Sequence, residues 1–200
     1  MSPIKFNKYC EIDMTENNEE LVKVIGKIQE FRRYIQKILT ENECDVAIGG
    51  YGENRTIYRT ELFSSSRTLH LGLDFWCSEN TDVYAVANGI IHSFADNDAA
   101  GDYGPTIIIE HEINGETIYG LYGHLTRDSL ENIHVGKKVK CGEVIGRVGS
   151  ADVNGGWPEH LHFQLIRDMQ GKTGDFPGVC ALSEKDEYLK LCPNPWIIMN

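Results

Sequence analysis

The pattern of apolar and polar positions changes character near residue 45. Between residue 17 or 18 and about residue 40, Leu21, Val24, Ile28, Phe31, Ile35 and Ile38 recur at intervals of three and four, the repeat of one helical face. The spacing predicts a single long helix. Asn17 followed by Glu20 makes a capping start, and "TENECD" supplies the stop. Such a stripe would also suit a coiled-coil partner, but at about three heptads it is expected to dock on the protein's own body, as an added element outside any site.

From Asp45 onward the chain is written in short runs rich in Val, Ile, Tyr and Thr, divided by glycine and asparagine: "VAIGGY", "RTIYRT", "VYAVANGIIHSF", "PTIIIEHEI", "ETIYGLYGH", "KKVKCGEVIGRVG" and "HLHFQLIRD". These are strands. Asn114-Gly115 between two of them suits the left-handed positions of a type I′ hairpin, so the order is expected to be mainly antiparallel. The tail "SEKDEYLKLCPNPWIIMN" reads as a short helix ended by Pro193 and Pro195, then an apolar terminus packing back on the domain. The expected divisions are a helical extension over 1–44, a β-rich body over 45–175 and a tail over 176–200.

Composition narrows the field of partners. The chain's 200 residues suit one main domain, and 41% hydrophobic with 24% charged residues excludes disorder as the dominant state. A formal net charge of −11 argues against nucleic acid, whose binding needs clustered Lys and Arg. No run approaches a membrane span and no secretory start is visible, so the expectation is a cytoplasmic protein as written, periplasmic or extracellular if the export signal lies outside this chain. Six cysteines without any C-x-x-C pair are expected to be free thiols in a reducing compartment.

The candidate chemistry lies in histidines. "PEHLHFQ" puts His160 and His162 two residues apart, on one face of an extended strand with Leu161 on the other. "LHLGLDF" places His70 four residues before Asp74. A straight strand would hold those Cα atoms about 13 Å apart, so the chain must bend between them, and Gly72 sits where that bend is wanted. "YGHL" adds His124 after a strand-like run. Each piece alone is weak, but jointly they supply the three His and carboxylate ligands of a catalytic zinc site with two histidines left for proton work. His92, His111 and His134 have no such arrangement and are read as strand or surface residues.

"HLGLD", "YGHL" and "HLHFQ", in this order and joined by β-rich sequence, resemble the signature of the lysostaphin-like (LytM-type) zinc metalloendopeptidases, over roughly residues 67–168. The runs "VYAVANGIIHSF", "YGPTIIIEHE" and "VGKKVKCGEVIGRVG" are similar to the same family's text. The resemblance implies a mainly β fold, an antiparallel β-sheet of barrel-sandwich-hybrid type carrying the added N-terminal long α-helix. It implies Zn²⁺ held by His70, Asp74 and His162, with His124 and His160 as the unligated catalytic pair. It also implies hydrolysis of peptide bonds in peptidoglycan-type or glycine-rich peptides. Tyr122, sharing parity with His124, and Trp157, in "NGGWPE", are candidates to line the cleft, with core packing the equal alternative for both.

Two rivals belong to other classes. "VGKKVKCGEVIGRVG" has the spacing of lipoyl and biotinyl carrier hairpins, but no lysine stands at the tip of a tight turn between matching halves. A zinc-binding, non-catalytic regulator of the same fold is the closer alternative, and it is disfavoured because no polar position of the motifs is missing. The wording of "GGYGENRTIY" and "DFPGV" is further similar to a branch of the module found in larger chains with an aminotransferase-like domain, for which a cell-wall substrate is not implied.

Overall fold

The computed structural model describes residues 1–55 and 67–199, so all but the first residue of the strand expected over "RTIYRT" lies outside the described residues. In chain order the elements are β1 (Tyr9–Ile12), α1 (Glu19–Val24), α2 (Ile28–Glu41), β2 (Val46–Gly49), β3 (Arg67–His70), β4 (Leu73–Trp76), β5 (Asp82–Tyr84) and β6 (Gly89–Asn97). There follow β7 (Gly104–Ile113), β8 (Glu116–Gly123), β9 (Lys138–Val139), β10 (Val144–Arg147), β11 (His160–Ile166), β12 (Val179–Ala181) and α3 (Lys185–Leu191). No helix among them is long and apolar enough to cross a membrane.

The mainly β fold class is what the structure has. Eight strands form one sheet in the order β1-β2-β4-β11-β8-β7-β6-β9, with two two-stranded sheets, β10-β5 and β12-β3, beside it. Among the described residues every strand pairing is antiparallel except β1 with β2. The β7–β8 hairpin turns on Asn114 and Gly115, at φ 55° and 79°, as the dipeptide predicts.

The single N-terminal helix is corrected to two. Asn18, not Asn17, caps α1, its side chain accepting from the Leu21 N–H at 3.1 Å. The helix then stops at Ile25 and Gly26, where Gly26 takes φ 83°, a left-handed conformation that glycine adopts without steric cost. The apolar repeat continues across this break because both helices bury the same stripe: Leu21, Phe31, Tyr34 and Ile35 pack with Ala47 and Trp76 of the sheet. A hydrophobic period alone does not register a chain reversal. β1 precedes both helices and is hydrogen-bonded into the main sheet.

That β1–β2 pairing also overturns the expectation of six free thiols. Cys10 lies in register with Ala47, which brings Cys44 to a Cα separation of 6.1 Å, and the two are disulfide-bonded. Thirty-four residues of sequence separate them, so no local spacing signals the bond. Cys77, Cys141, Cys180 and Cys192 are free.

At β4 and β11 the sheet is buried on both faces, and this parity places the site. Leu161, Phe163 and Leu165 of β11 join Leu73 and Phe75 of β4 and Ile107 and Ile109 of β7 in the largest apolar cluster. The alternate residues of β4 and β11 face the other way, carrying polar side chains between the sheet and the segment around β12.

Candidate metal centre

On β11 the outward set is His160, His162 and Gln164, and on the neighbouring β4 it is Asp74 and Trp76. The antiparallel register sets His162 opposite Asp74 and His160 opposite Trp76. Directly paired residues share a face, so imidazole and carboxylate meet across the ladder: His162 Nδ1 lies 3.0 Å from Asp74 Oδ1. His70 arrives from another sheet. It ends β3, the chain turns through Leu71 and Gly72, and His70 Nε2 reaches 3.2 Å from Asp74 Oδ1 and 3.0 Å from His162 Nδ1.

Gly72 is needed there for a different reason from the one its sequence position suggests. A Cβ on it would lie 2.7 Å from both the His162 ring and the Phe163 carbonyl oxygen. Close approach of β11, not a left-handed φ, excludes a side chain.

His124 follows the last residue of β8 and takes φ 62°, unusual for a residue other than glycine. Its backbone is pinned on both sides, N–H to Tyr103 O and carbonyl from Gly149 N–H, each at 2.8 Å. This twist turns the His124 ring to within 4.2 Å of the His160 ring, centroid to centroid. It also defeats the parity expected of Tyr122, which is fully buried in the core. The Tyr122 phenol accepts from the Val86 N–H at 3.1 Å and pairs with His111 Nε2 at 3.0 Å. Trp157 does line the cleft, a cavity of about 650 Å³ that His124, His160 and His162 face.

The outer ring nitrogens decide what the inner ones are. His70 Nδ1 meets Gly50 O at 3.0 Å, His124 Nδ1 meets Asn154 O at 2.9 Å, and His160 Nδ1 meets Pro158 O at 2.7 Å. His162 Nε2 meets Gln164 Oε1 at 3.0 Å, the Gln164 amide nitrogen being committed to Pro177 O and Cys192 Sγ. A carbonyl oxygen only accepts, so each outer nitrogen carries the proton and each inner nitrogen of the neutral ring presents a lone pair. Burial, with the Arg55 charge nearby, pushes His70 down to about 4. Burial likewise lowers His160, and lowers His124 well below the ordinary range with help from His160 and His162. Burial opposes ionisation of Asp74, yet its neighbours His70, Arg55 and His162 hold its carboxyl well below the usual range.

His70, Asp74 and His162 therefore bring three acceptor atoms within 4.8 Å of one another. Two lone pairs and a carboxylate oxygen facing each other call for a cation, and a nitrogen, nitrogen and oxygen donor set opening on a cleft fits zinc.

Several residues of the centre escaped the sequence reading. Arg55 is fully buried, donates from Nη1 to Asp74 Oδ2 and from Nε to Glu53 Oε2 at 2.8 Å, and leaves Oδ1 as the inward oxygen. Gln164 continues the two-residue parity of "HLHFQ" and was findable on that signal. Tyr103, its ring 5.1 Å from that of His162, and Trp76, stacked on His160, carry no local signature.

The chain belongs to peptidase family M23, whose pattern matches residues 68–174. The DD-carboxypeptidase/endopeptidase Mpg of Neisseria meningitidis serogroup B is 36% identical over 107 residues, 54% of this chain and 22% of that protein. The peptidoglycan DD-endopeptidase ShyA of Vibrio cholerae is 28% identical over 120 residues, 58% of this chain and 25% of its own. The chain thus spans about a quarter or less of the length of these relatives. Among solved structures, the catalytic domain of lysostaphin from Staphylococcus simulans aligns with a TM-score of 0.47 at 23% identity, covering 78% of this chain and 96% of that domain.

Proposed function

We propose that the chain is a zinc metalloendopeptidase acting on peptidoglycan-derived peptides, with zinc held by His70, Asp74 and His162 and with His124 and His160 as the proton-handling pair. The convergence of the three acceptor atoms beside two neutral, inward-facing histidines carries this reading. Zinc bound there would supply Lewis acidity toward a scissile carbonyl and would lower the pKa of a water toward about 7.

The chain's own residues do the rest. His160, with Nδ1–H committed to Pro158 O, offers Nε2 as a base toward the space it shares with Asp74 Oδ1, 3.9 Å away. Having taken a proton, its imidazolium sits in a buried pocket that disfavours the charge, so it readily passes the proton to a leaving amine. His124, held by the same kind of Nδ1–H to carbonyl bond, is the second such group, and once protonated it donates to an oxyanion. Asp74 is kept ionised and aimed by Arg55, and Gln164 fixes the His162 tautomer, as outer partners of a metal set do.

The peptidoglycan part of the reading rests on the relatives named DD-endopeptidase. It is tested by incubating the zinc-loaded protein with cross-linked muropeptides and with glycine-rich peptides. Cleavage of a muropeptide, stopped by a chelator and restored by zinc, is expected. Zinc-loaded protein that cuts no member of either panel would move the chain to the non-catalytic regulator of the same fold.

A further inference from the structure

We propose that helix α2 is a working part of the centre: Phe31 behind Trp76, and Arg32 on Glu159, hold the His160 imidazole in place, which makes these four positioning residues. The inference rests on the role given to His160 above and adds to it the device that keeps the ring oriented.

The first link runs through rings. Trp76 lies opposite His160 in register and stacks on it, centroids 4.1 Å apart and planes at 22°. A hydrogen bond from His160 Nδ1 to Pro158 O fixes which nitrogen faces inward, while the stack fixes the plane in which that nitrogen points. Trp76 is 1% exposed and its buried indole N–H has no partner among the described residues, so packing alone sets its own plane. Much of that packing comes from the N-terminal segment. Phe31 of α2 lies 5.5 Å from the Trp76 ring, and Trp76 shares an apolar cluster with Met14, Leu21, Tyr34 and Ile35.

The second link runs through charge. Arg32, the next residue of α2, donates from Nε to Glu159 Oε2 at 3.0 Å and from Nη2 to Glu159 Oε1, a two-pronged grip on the residue immediately before His160. The ring stacked on His160 and the residue preceding it thus both meet one helix, Arg32 lying 127 residues from Glu159 in sequence. Among the described residues no hydrogen bond, ion pair or ring contact given for α2 joins it to Asp74 or His162, so the helix can govern His160 without supplying a ligand.

The test uses the full chain with zinc bound, and the variants Arg32→Ala, Phe31→Leu, Glu159→Arg, Arg32→Glu and the exchange Arg32→Glu/Glu159→Arg. Histidine side-chain NMR reads the His160 ring directly, because the Trp76 ring current marks its protons whether or not any peptide is cut, and the His70 ring serves as reference. The expected result is that in Arg32→Ala and Phe31→Leu the His160 protons move toward the position of an unstacked imidazole, while the His70 protons and the zinc content stay as in wild type. In the peptidase assay kcat should fall about ten- to a hundredfold with KM unchanged, and the charge exchange should recover both readouts relative to either single reversal. His160 resonances unmoved in Arg32→Ala and Phe31→Leu would overturn the inference. So would loss of zinc in these variants, since α2 would then be holding the metal set. A wild type that cleaves nothing would sink the peptidase reading alone, leaving the ring positions to decide the matter of the helix.

Discussion

At the scale of single residues, the centre shows how much of a candidate ligand's behaviour is set by the atom it does not offer. Arg55 occupies Asp74 Oδ2 and so leaves Oδ1 between His70 and His162. Replacing it with Met should weaken zinc binding about 10–100-fold, the usual cost of losing an outer partner. Arg55→Lys should not restore it, because a single ammonium cannot span Glu53 and Asp74 as the guanidinium does. Competition titration against a chelator measures this, and an affinity equal to or tighter than wild type would contradict it. His111 makes a prediction away from the centre. Burial pushes it from an ordinary 6.5 down to about 4. Above pH 6.5 it is neutral folded or unfolded. Between 6.5 and about 4 only the unfolded chain takes up the proton, so stability falls as pH falls, by up to about 3 kcal/mol. His111→Gln removes that titration. The stability gap between wild type and variant, measured by denaturant unfolding, should narrow by about this amount on acidification, and parallel curves would rule it out. The histidines and Asp74 could be found in the sequence because each sits in or beside a strand in a recognisable word. Arg55 and Trp76 could not, because what they touch is decided by pairing between distant strands.

At the scale of elements, the strands were legible and their junctions were not. The two-residue period of β11 placed His160 and His162 on one face, and that face is the one the structure buries against Asp74. Parity failed at Tyr122 because it assumes that a strand continues, whereas His124 leaves β8 with a left-handed twist. The helical repeat of residues 17–40 likewise survived a chain reversal at Gly26 that it could not register. The junction with most consequence for the site is Gly72, between β3 and β4. Gly72→Ala would drive a methyl group into the His162 ring and the Phe163 carbonyl. Overpacking of this kind costs about 1–3 kcal/mol, and here the group displaced is itself a candidate ligand. The rise in Tm on adding zinc should therefore be smaller in Gly72→Ala than in wild type. An equal rise would mean that the loop relaxes without moving His162.

At the scale of the whole molecule, the β-rich body carries every candidate ligand, while the N-terminal segment is joined to it by β1, by the apolar cluster around Trp76 and by Arg32 on Glu159. The body's fold follows from alternation that any strand-rich sequence displays. Its candidate chemistry follows from a register that brings residues 74, 124, 160 and 162 to one cleft and sets His70 against Asp74 and His162. The central claim is a division of labour between His160 and His162, and the most direct measurement takes zinc content and muropeptide cleavage from the same preparations of wild type, His160→Ala and His162→Ala. The account predicts about one zinc per chain with cleavage in wild type. His160→Ala should keep its zinc and lose about 10²–10⁴-fold in kcat, and His162→Ala should lose metal and cleavage together. A His160→Ala protein without zinc beside a His162→Ala protein that retains it would contradict the account and reverse the two roles.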